Sequence, residues 1–227
     1  MFRNNPNESV ADNPTNAAQA APSISINVNA LNSTLQRDTG RTTGTINRVE
    51  GYRDNQGPLI LDNQLDNNEI NGMLVRGQTL DTQSVWDDTD IVHVLMSTVR
   101  VSDFHTLGGL ILASSATESL VVKLLNNATT GQNAGFEATG IPHEINDRIG
   151  GIIQILGQPG SPVVLTSLRD DTHGAGTKPD GDPQTDTNAD DAATTPQPGD
   201  WNSVRLDRFS HDRNVDMAYE SESRDVN

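Results

Sequence analysis

The densest set of oxygen ligands in this sequence lies in "LRDDTHGAGTKPDGDPQTDTNADDAATTPQPGDW", Leu168 to Trp201. Between those two residues stand eight Asp and no Leu, Ile, Val, Met, Phe, Tyr or Trp. Carboxylate and amide oxygens gathered together are the chemistry that hard divalent cations select. Asp186, Asn188 and Asp190 alternate as the opening ligands of a calcium loop do, and Asp180 and Asp182, with Asp170 and Asp171, add oxygens if the segment folds back. An EF-hand-type loop then requires Gly at the sixth place and Glu at the twelfth, where this chain has Asp191 and Gln197. The same composition suits a solvated acidic insertion. Calcium is therefore one reading of the segment and solvation the other.

A second acidic knot, "WDDTD" from Trp86 to Asp90, precedes the apolar run "IVHVL". Two carboxylates at a suitable separation can act as acid and base on a glycosidic bond. Arg76, Arg100 and Arg148 have the residue type of a lyase base, but nothing in their spacing ties them to the carboxylates. The bland alternative is a polar turn anchored by one buried Trp. His93 alternates with Ile91 and Leu95, which marks a packed or stacked ring rather than a ligand. His105, His143, His173 and His211 fall at unrelated spacings, with no HExxH pair. No GxSxG phrase marks a nucleophile, the diglycines precede strands rather than helices, and the absence of cysteine removes thiolate chemistry. No catalytic or cofactor-binding residue is assigned, and the chain is read as non-enzymatic.

Composition narrows the partners. The 31 Asp and Glu against 15 Lys and Arg give a net charge of -16, and Lys123 and Lys178 are the only lysines. Phosphate backbones require clustered cations, so nucleic acid is excluded as a partner. No apolar run approaches a membrane span, and the first residues lack a signal-peptide core.

Residues 1–22, rich in Asn, Ala and Pro, read as a disordered leader, and 221–227 as a disordered tail. "SISINVNAL" from Ser23 alternates as a half-buried strand, and short strands are expected at "TINRV" and "PLILD". The runs "NEINGMLVRG", "DIVHVLMSTVRV", "GGLILASSATESLVVKLL" and "GGIIQILGQPGSPVVLTSL" are rich in Val, Ile and Leu and bounded by turn residues, so they read as successive strands. Helical periodicity is interrupted everywhere by Gly, Asn or Pro. The chain is expected to be all-β.

A fixed offset sets Leu107 on Ile149, Gly108 on Gly150, Gly109 on Gly151, Ser119 on Ser161 and Val121 on Val163. Diglycine, strand, small-residue turn and second strand recur, as two sides of a coil wound twice would. "NGMLV" at Asn71 and "DWNSVRL" at Asp200 echo the pattern more loosely. Variable spacing between constant strands is what a solenoid tolerates, because each coil stacks only on its neighbours. The expectation is a parallel β-helix over 23–220, with the Asp-rich residues 169–200 ejected sideways as a loop. A β-sandwich or jelly roll is the alternative.

The phrases "NNEINGMLVRGQTLDTQSVWDDTDIVHVL", "FHTLGGLILASSATESLVVKL", "RIGGIIQILGQPGSPVVLTSL" and "PGDWNSVRLDRFSHDRNVD" resemble a right-handed parallel β-helix segment of very large bacterial cell-surface or secreted proteins. The resemblance implies a structural, adhesive or binding module, extracellular or at the cell surface. It also implies neighbouring repeats in a longer chain and a polysaccharide or a surface protein as partner. A carbohydrate-active β-helix, lyase-like, hydrolase-like or sugar-binding, is the alternative. The motifs of pectin-cleaving β-helix hydrolases are met here only by Asp-Asp pairs.

Overall fold

The computed structural model describes residues 2–3, 22–31, 58, 60–80, 83–102, 109–128, 130–140, 148–211 and 213–214. These are all-β, apart from a single 3-10 turn at Val28–Ala30. The strands are β1 (Phe2–Arg3), β2 (Pro22–Asn27), β3 (Leu65–Asp66), β4 (Ile70–Arg76), β5 (Thr79–Leu80), β6 (Gln83–Trp86), β7 (His93–Leu95) and β8 (Thr98–Val101). After them come β9 (Gly109–Ala113), β10 (Leu120–Leu124), β11 (Gly135–Ala138), β12 (Arg148–Ile149), β13 (Ile153–Leu156), β14 (Val163–Ser167), β15 (Val204–Leu206) and β16 (Arg213–Asn214). No helix among the described residues is long and apolar enough to cross a membrane.

Three sheets hold most of these strands, in the orders β14-β10-β7-β4-β2, β15-β11-β8-β5 and β13-β9-β6. Every pairing inside them is parallel. Parallel neighbours cannot be joined by a hairpin, so the chain must leave each sheet and return to it. It does so in a constant order: β4, β5 and β6 enter the three sheets in turn, then β7, β8 and β9, then β10, β11 and β13, then β14 and β15. A sandwich or jelly roll rests on antiparallel pairs, which the three sheets of the described residues do not contain.

In-register pairing lines inward residues into columns. Met73, His93, Val122 and Leu165 make one, Trp86, Leu112 and Ile155 a second, and Leu80, Val101, Ala138 and Leu206 a third. Met73 and Val122 of the first column, Trp86 and Leu112 of the second, and Leu80, Val101 and Ala138 of the third lie in one hydrophobic core between the sheets, with His93 buried beside them. Each fully buried Leu, Ile, Val or Met there contributes roughly 1.5–3 kcal/mol. Within this core Trp86 stacks on His93 with centroids 5.3 Å apart and meets Phe136 edge-on at 5.7 Å.

Several sequence expectations change. Leu110 pairs with Ile153 and Leu120 with Val163, so the repeat is one residue longer than the offset that set Val121 on Val163. "NGMLV" belongs to the sheet of β10, and "DWNSVRL" contributes β15 to a different sheet. "PLILD" forms no strand at its described residues, and Asp62 there has φ 51. Phe2 and Arg3 of the supposed leader pair in parallel with Leu65 and Asp66. The leader from residue 4 to 21, "TINRV", His105, His143 and the tail 221–227 lie outside the described residues.

Residues 169–200 do not project sideways. They fold back over the outer face of the five-stranded sheet, where Leu168 and Ala175 complete a second apolar cluster with Ile70, Val92, Val94 and Val121. Backbone bonds fasten the cover: Asn71 N to Thr187 O at 2.8 Å, Leu65 N to Thr177 O at 3.1 Å and Asn126 N to Asp200 O at 2.6 Å. The parallel strands leave Val92, Val94 and Val121 apolar on that outer face, and burying them is what the cover gains.

Candidate functional site

The acidic cover meets the sheet at Lys123. In β10, Leu120, Val122 and Leu124 point into the core, so strand alternation turns Val121 and Lys123 outward. Covered by the insertion, Lys123 is fully buried. Its Nζ donates to the carbonyl oxygens of Asp170 at 2.5 Å and Thr185 at 2.7 Å. A buried ammonium needs such acceptors, since desolvation without them costs several kcal/mol. Burial pushes the Lys123 pKa down to about 8, against the opposing pull of Asp171, Asp170, Asp186 and Asp190.

Around this ammonium the insertion gathers its carboxylates. Ligand oxygens of Asp171, Asp186 and Asp190 lie within 4.8 Å of one another. Backbone turns shape two of the three. Asp186 accepts from the amides of Asp190 and Asp191 at 3.1 Å each. Asp190 accepts from the amides of Ala193 and Thr194, also at 3.1 Å, and from Asn188 Nδ2 at 2.7 Å. Such side-chain-to-backbone bonds are why Asp and Asn favour turns. Asp171 has its pKa raised, first by burial and then by the negative charges of Asp186 and Asp190, with Lys123 opposing. Three carboxylates with one ammonium beside them form a site whose donor set suits a hard divalent cation.

Two of the sequence-derived ligands, Asp186 and Asp190, are thus brought together, and Asn188 reaches Asp190 through its amide nitrogen. Asp180 and Asp182 are not in the cluster. They sit on a separate exposed turn closed by Lys178 N to Asp182 O at 2.7 Å and Asp182 N to Asp180 Oδ1 at 3.1 Å. The short local turn forms its own hydrogen bonds and leaves those carboxylates in water. Asp171 takes their place, carried in by the turn that follows Leu168.

Asp170 works differently. Burial raises the pKa of its carboxyl, but bonds from Thr166 Oγ1, Thr172 Oγ1, the Thr172 amide and His173 outweigh that and hold it well below the usual range. At the neck of the insertion Arg169 Nη1 meets Asp200 Oδ1 at 2.7 Å, and Ser167 Oγ donates to the same carboxylate. First and last residues of the insertion are thereby clamped together.

The "WDDTD" knot does not form an open groove. Trp86 lies in the core against His93, and Asp88 is only 1% exposed. A sugar-stacking surface requires an exposed ring, which Trp86 does not offer. His93 is buried and its pKa is pushed down to about 4 by desolvation, with a weak opposing effect of the Ile91 backbone. It is the stacked residue that its alternation indicated, not a ligand. Arg100 and Arg205 both pair with Glu137, at 2.9 Å and 3.2 Å, across the exposed face of β8, β11 and β15. Arg100 is thereby committed to a charge ladder on a different sheet from the acidic cluster. No protein-family model, curated protein or solved structure matches this chain.

Proposed function

We propose that this chain is a segment of a right-handed parallel β-helix that serves as a non-enzymatic structural, adhesive or binding module of an extracellular or cell-surface protein. One observation supports this most: three parallel sheets are entered in constant order, one strand of each per circuit. A right-handed sense follows from the strong preference of parallel crossovers for that hand. Stacked coils expose rows of side chains at fixed spacing, a scaffold for surface-protein or polysaccharide partners. Burial of Trp86 and Asp88 favours this reading over the carbohydrate-cleaving one. The test is incubation with a panel of acidic and neutral polysaccharides, reading reducing and unsaturated ends alongside retention on the immobilised polymers. Retention without cleavage is expected; product release that disappears on Asp88→Asn would overturn the module reading.

A second reading concerns the acidic cover. The convergence of Asp171, Asp186 and Asp190 favours a divalent cation, with calcium first by its preference for carboxylate oxygen. Held there, the ion would tie the first turn of the insertion to its 186–190 turn, above the strand that carries Lys123.

A further inference from the structure

Asp182–Pro183 is the only Asp–Pro bond in the sequence. It closes a turn of the insertion, residues 178–182, in which Asp180, Gly181 and Asp182 are all exposed, as is Pro183. The turn is held by Lys178 N to Asp182 O at 2.7 Å and Gly181 N to Lys178 O at 3.0 Å. Gly181 takes a φ of +91, with nothing within 4 Å of the place a Cβ would occupy. The stem below is anchored. Thr177 and Pro183 bridge antiparallel, Leu65 N donates to Thr177 O at 3.1 Å, Gln184 N to Gly176 O at 3.1 Å, and the buried Gln184 side chain to Leu65 O at 2.9 Å.

A proline amide nitrogen bears no hydrogen, and as a tertiary amide it accepts a proton and leaves more readily than an ordinary peptide nitrogen. An Asp before it can bring a carboxyl oxygen onto its own carbonyl carbon through a five-membered ring, an attack in which nucleophile and target are already held together. Two features of this turn favour that step. The Lys178 N–H sits on the oxygen of the scissile carbonyl, where negative charge grows as the tetrahedral intermediate forms. The carboxylates of Asp170, Asp186, Asp190 and Asp200 are each held by hydrogen bonds, whereas that of Asp182 accepts none among the described residues and is free to turn onto its own carbonyl.

We propose that Asp182–Pro183 is a self-cleavage site whose products stay together as a two-piece protein. An Asp182 carboxyl oxygen bonds to the Asp182 carbonyl carbon, the C–N bond to Pro183 breaks, and the carboxyl proton passes to the Pro183 nitrogen, which becomes a secondary amine. Water then opens the cyclic anhydride left on Asp182 to two carboxyl groups. The piece that begins at Pro183 keeps its own attachments: Lys123 Nζ to Thr185 O at 2.7 Å, Asn126 N to Asp200 O at 2.6 Å, the Arg169–Asp200 pair at 2.7 Å and the pairing of β15 with β11. Asp171 then stands on one piece, with Asp186 and Asp190 on the other.

The full chain, held in mildly acidic buffer in which far-UV circular dichroism shows it folded, should accumulate the pieces 1–182 and 183–227 by intact-mass spectrometry. Cleavage should run roughly tenfold or more faster than in a synthetic peptide of residues 174–187 in the same buffer, because the peptide has the bond without the held Lys178 N–H. Asp182→Ala should stop it, and Asp182→Glu, whose ring needs one more atom, should slow it sharply. The two pieces should co-elute in size-exclusion chromatography and part only in denaturant. A rate no greater than that of the peptide, or Asp182→Ala cleaved as fast as the unaltered chain, would overturn the proposal, as would pieces that separate without denaturant.

Discussion

Lys123 Nζ donates to the carbonyl oxygen of Asp170 across 2.5 Å, joining β10 of the five-stranded sheet to the first turn of the acidic insertion. With the second bond to Thr185 O, one side chain holds two points of the cover that are far apart in sequence. Lys123→Met keeps the aliphatic stem but leaves both carbonyls without that donor and the three carboxylates without their nearest cation. The expected loss is about 2–4 kcal/mol, the range for breaking a buried charged contact. Limited proteolysis should then cut within 169–200 first. Unchanged protection of that segment would show that the apolar contacts of Leu168 and Ala175 hold it unaided.

His93 supplies a pH dependence with a definite sign. Its pKa in the fold is about 4 against 6.5 for the free side chain, so between those values the unfolded chain binds more protons. Stability from the buried neutral ring is complete above pH 6.5 and is lost as pH falls toward 4. The full loss is roughly 3 kcal/mol, at 1.36 kcal/mol per pKa unit. His93→Phe preserves the stack on Trp86 and cannot titrate, and any packing cost of its extra atoms is independent of pH. Denaturant midpoints for both proteins between pH 7 and pH 4 should diverge. Parallel curves would place the titration elsewhere.

The strands with dense Val, Ile and Leu, among them β4, β9, β10 and β14, were legible because their apolar runs are bounded by turn residues. β5, β6 and β11 were not. Gln83 and Thr79 are exposed and Glu137 half-buried on the outward sides of their strands, so these short strands carry polar residues and look like loop. Ser84 and Trp86, like Phe136 and Ala138, share the inward face two residues apart, a pattern too short to stand out from the polar residues around it. The register slipped by one for a related reason: Val121 is buried under the insertion and Val122 in the core, so no polar face fixes the phase. Acidic composition marked Asp186 and Asp190 and offered Asp171, Asp180 and Asp182 alike, but the selection of Asp171 over Asp180 and Asp182 depends on how the insertion folds back over Lys123. Local sequence does not fix that fold-back.

Metal binding has a direct readout. Asp171, Asp186 and Asp190 place three carboxylates around the single charge of Lys123, an imbalance that a divalent ion would relieve. Calcium at about a hundred times its dissociation constant should stabilise the fold by about 2.7 kcal/mol, since it binds only the assembled site. The melting temperature should rise with calcium and fall back with chelator, and Asp171→Asn should abolish the shift. Asp180→Asn should leave it intact, because that residue stands on its own exposed turn. Identical melting curves in calcium and chelator would assign the three carboxylates to turn formation alone.

Gly176 tests how closely the insertion is pressed onto the sheet. Its φ is +77, and an added Cβ would lie 2.6 Å from the carbonyl oxygen of Asp90. Gly160 shares the left-handed backbone, with φ +85, but has nothing within 4 Å of that position. Alanine at either site bears the left-handed penalty of roughly 1–2 kcal/mol, whereas only Gly176→Ala must also push the insertion off the Asp90 turn. Gly176→Ala should therefore cost at least about 1 kcal/mol more than Gly160→Ala in equilibrium unfolding. It should also raise hydrogen exchange at the Leu65 and Asn71 amides, which bond to Thr177 and Thr187 of the insertion. Equal costs would mean that the insertion rides over Asp90 without touching it, and that the apolar seal beneath it is not set by this contact.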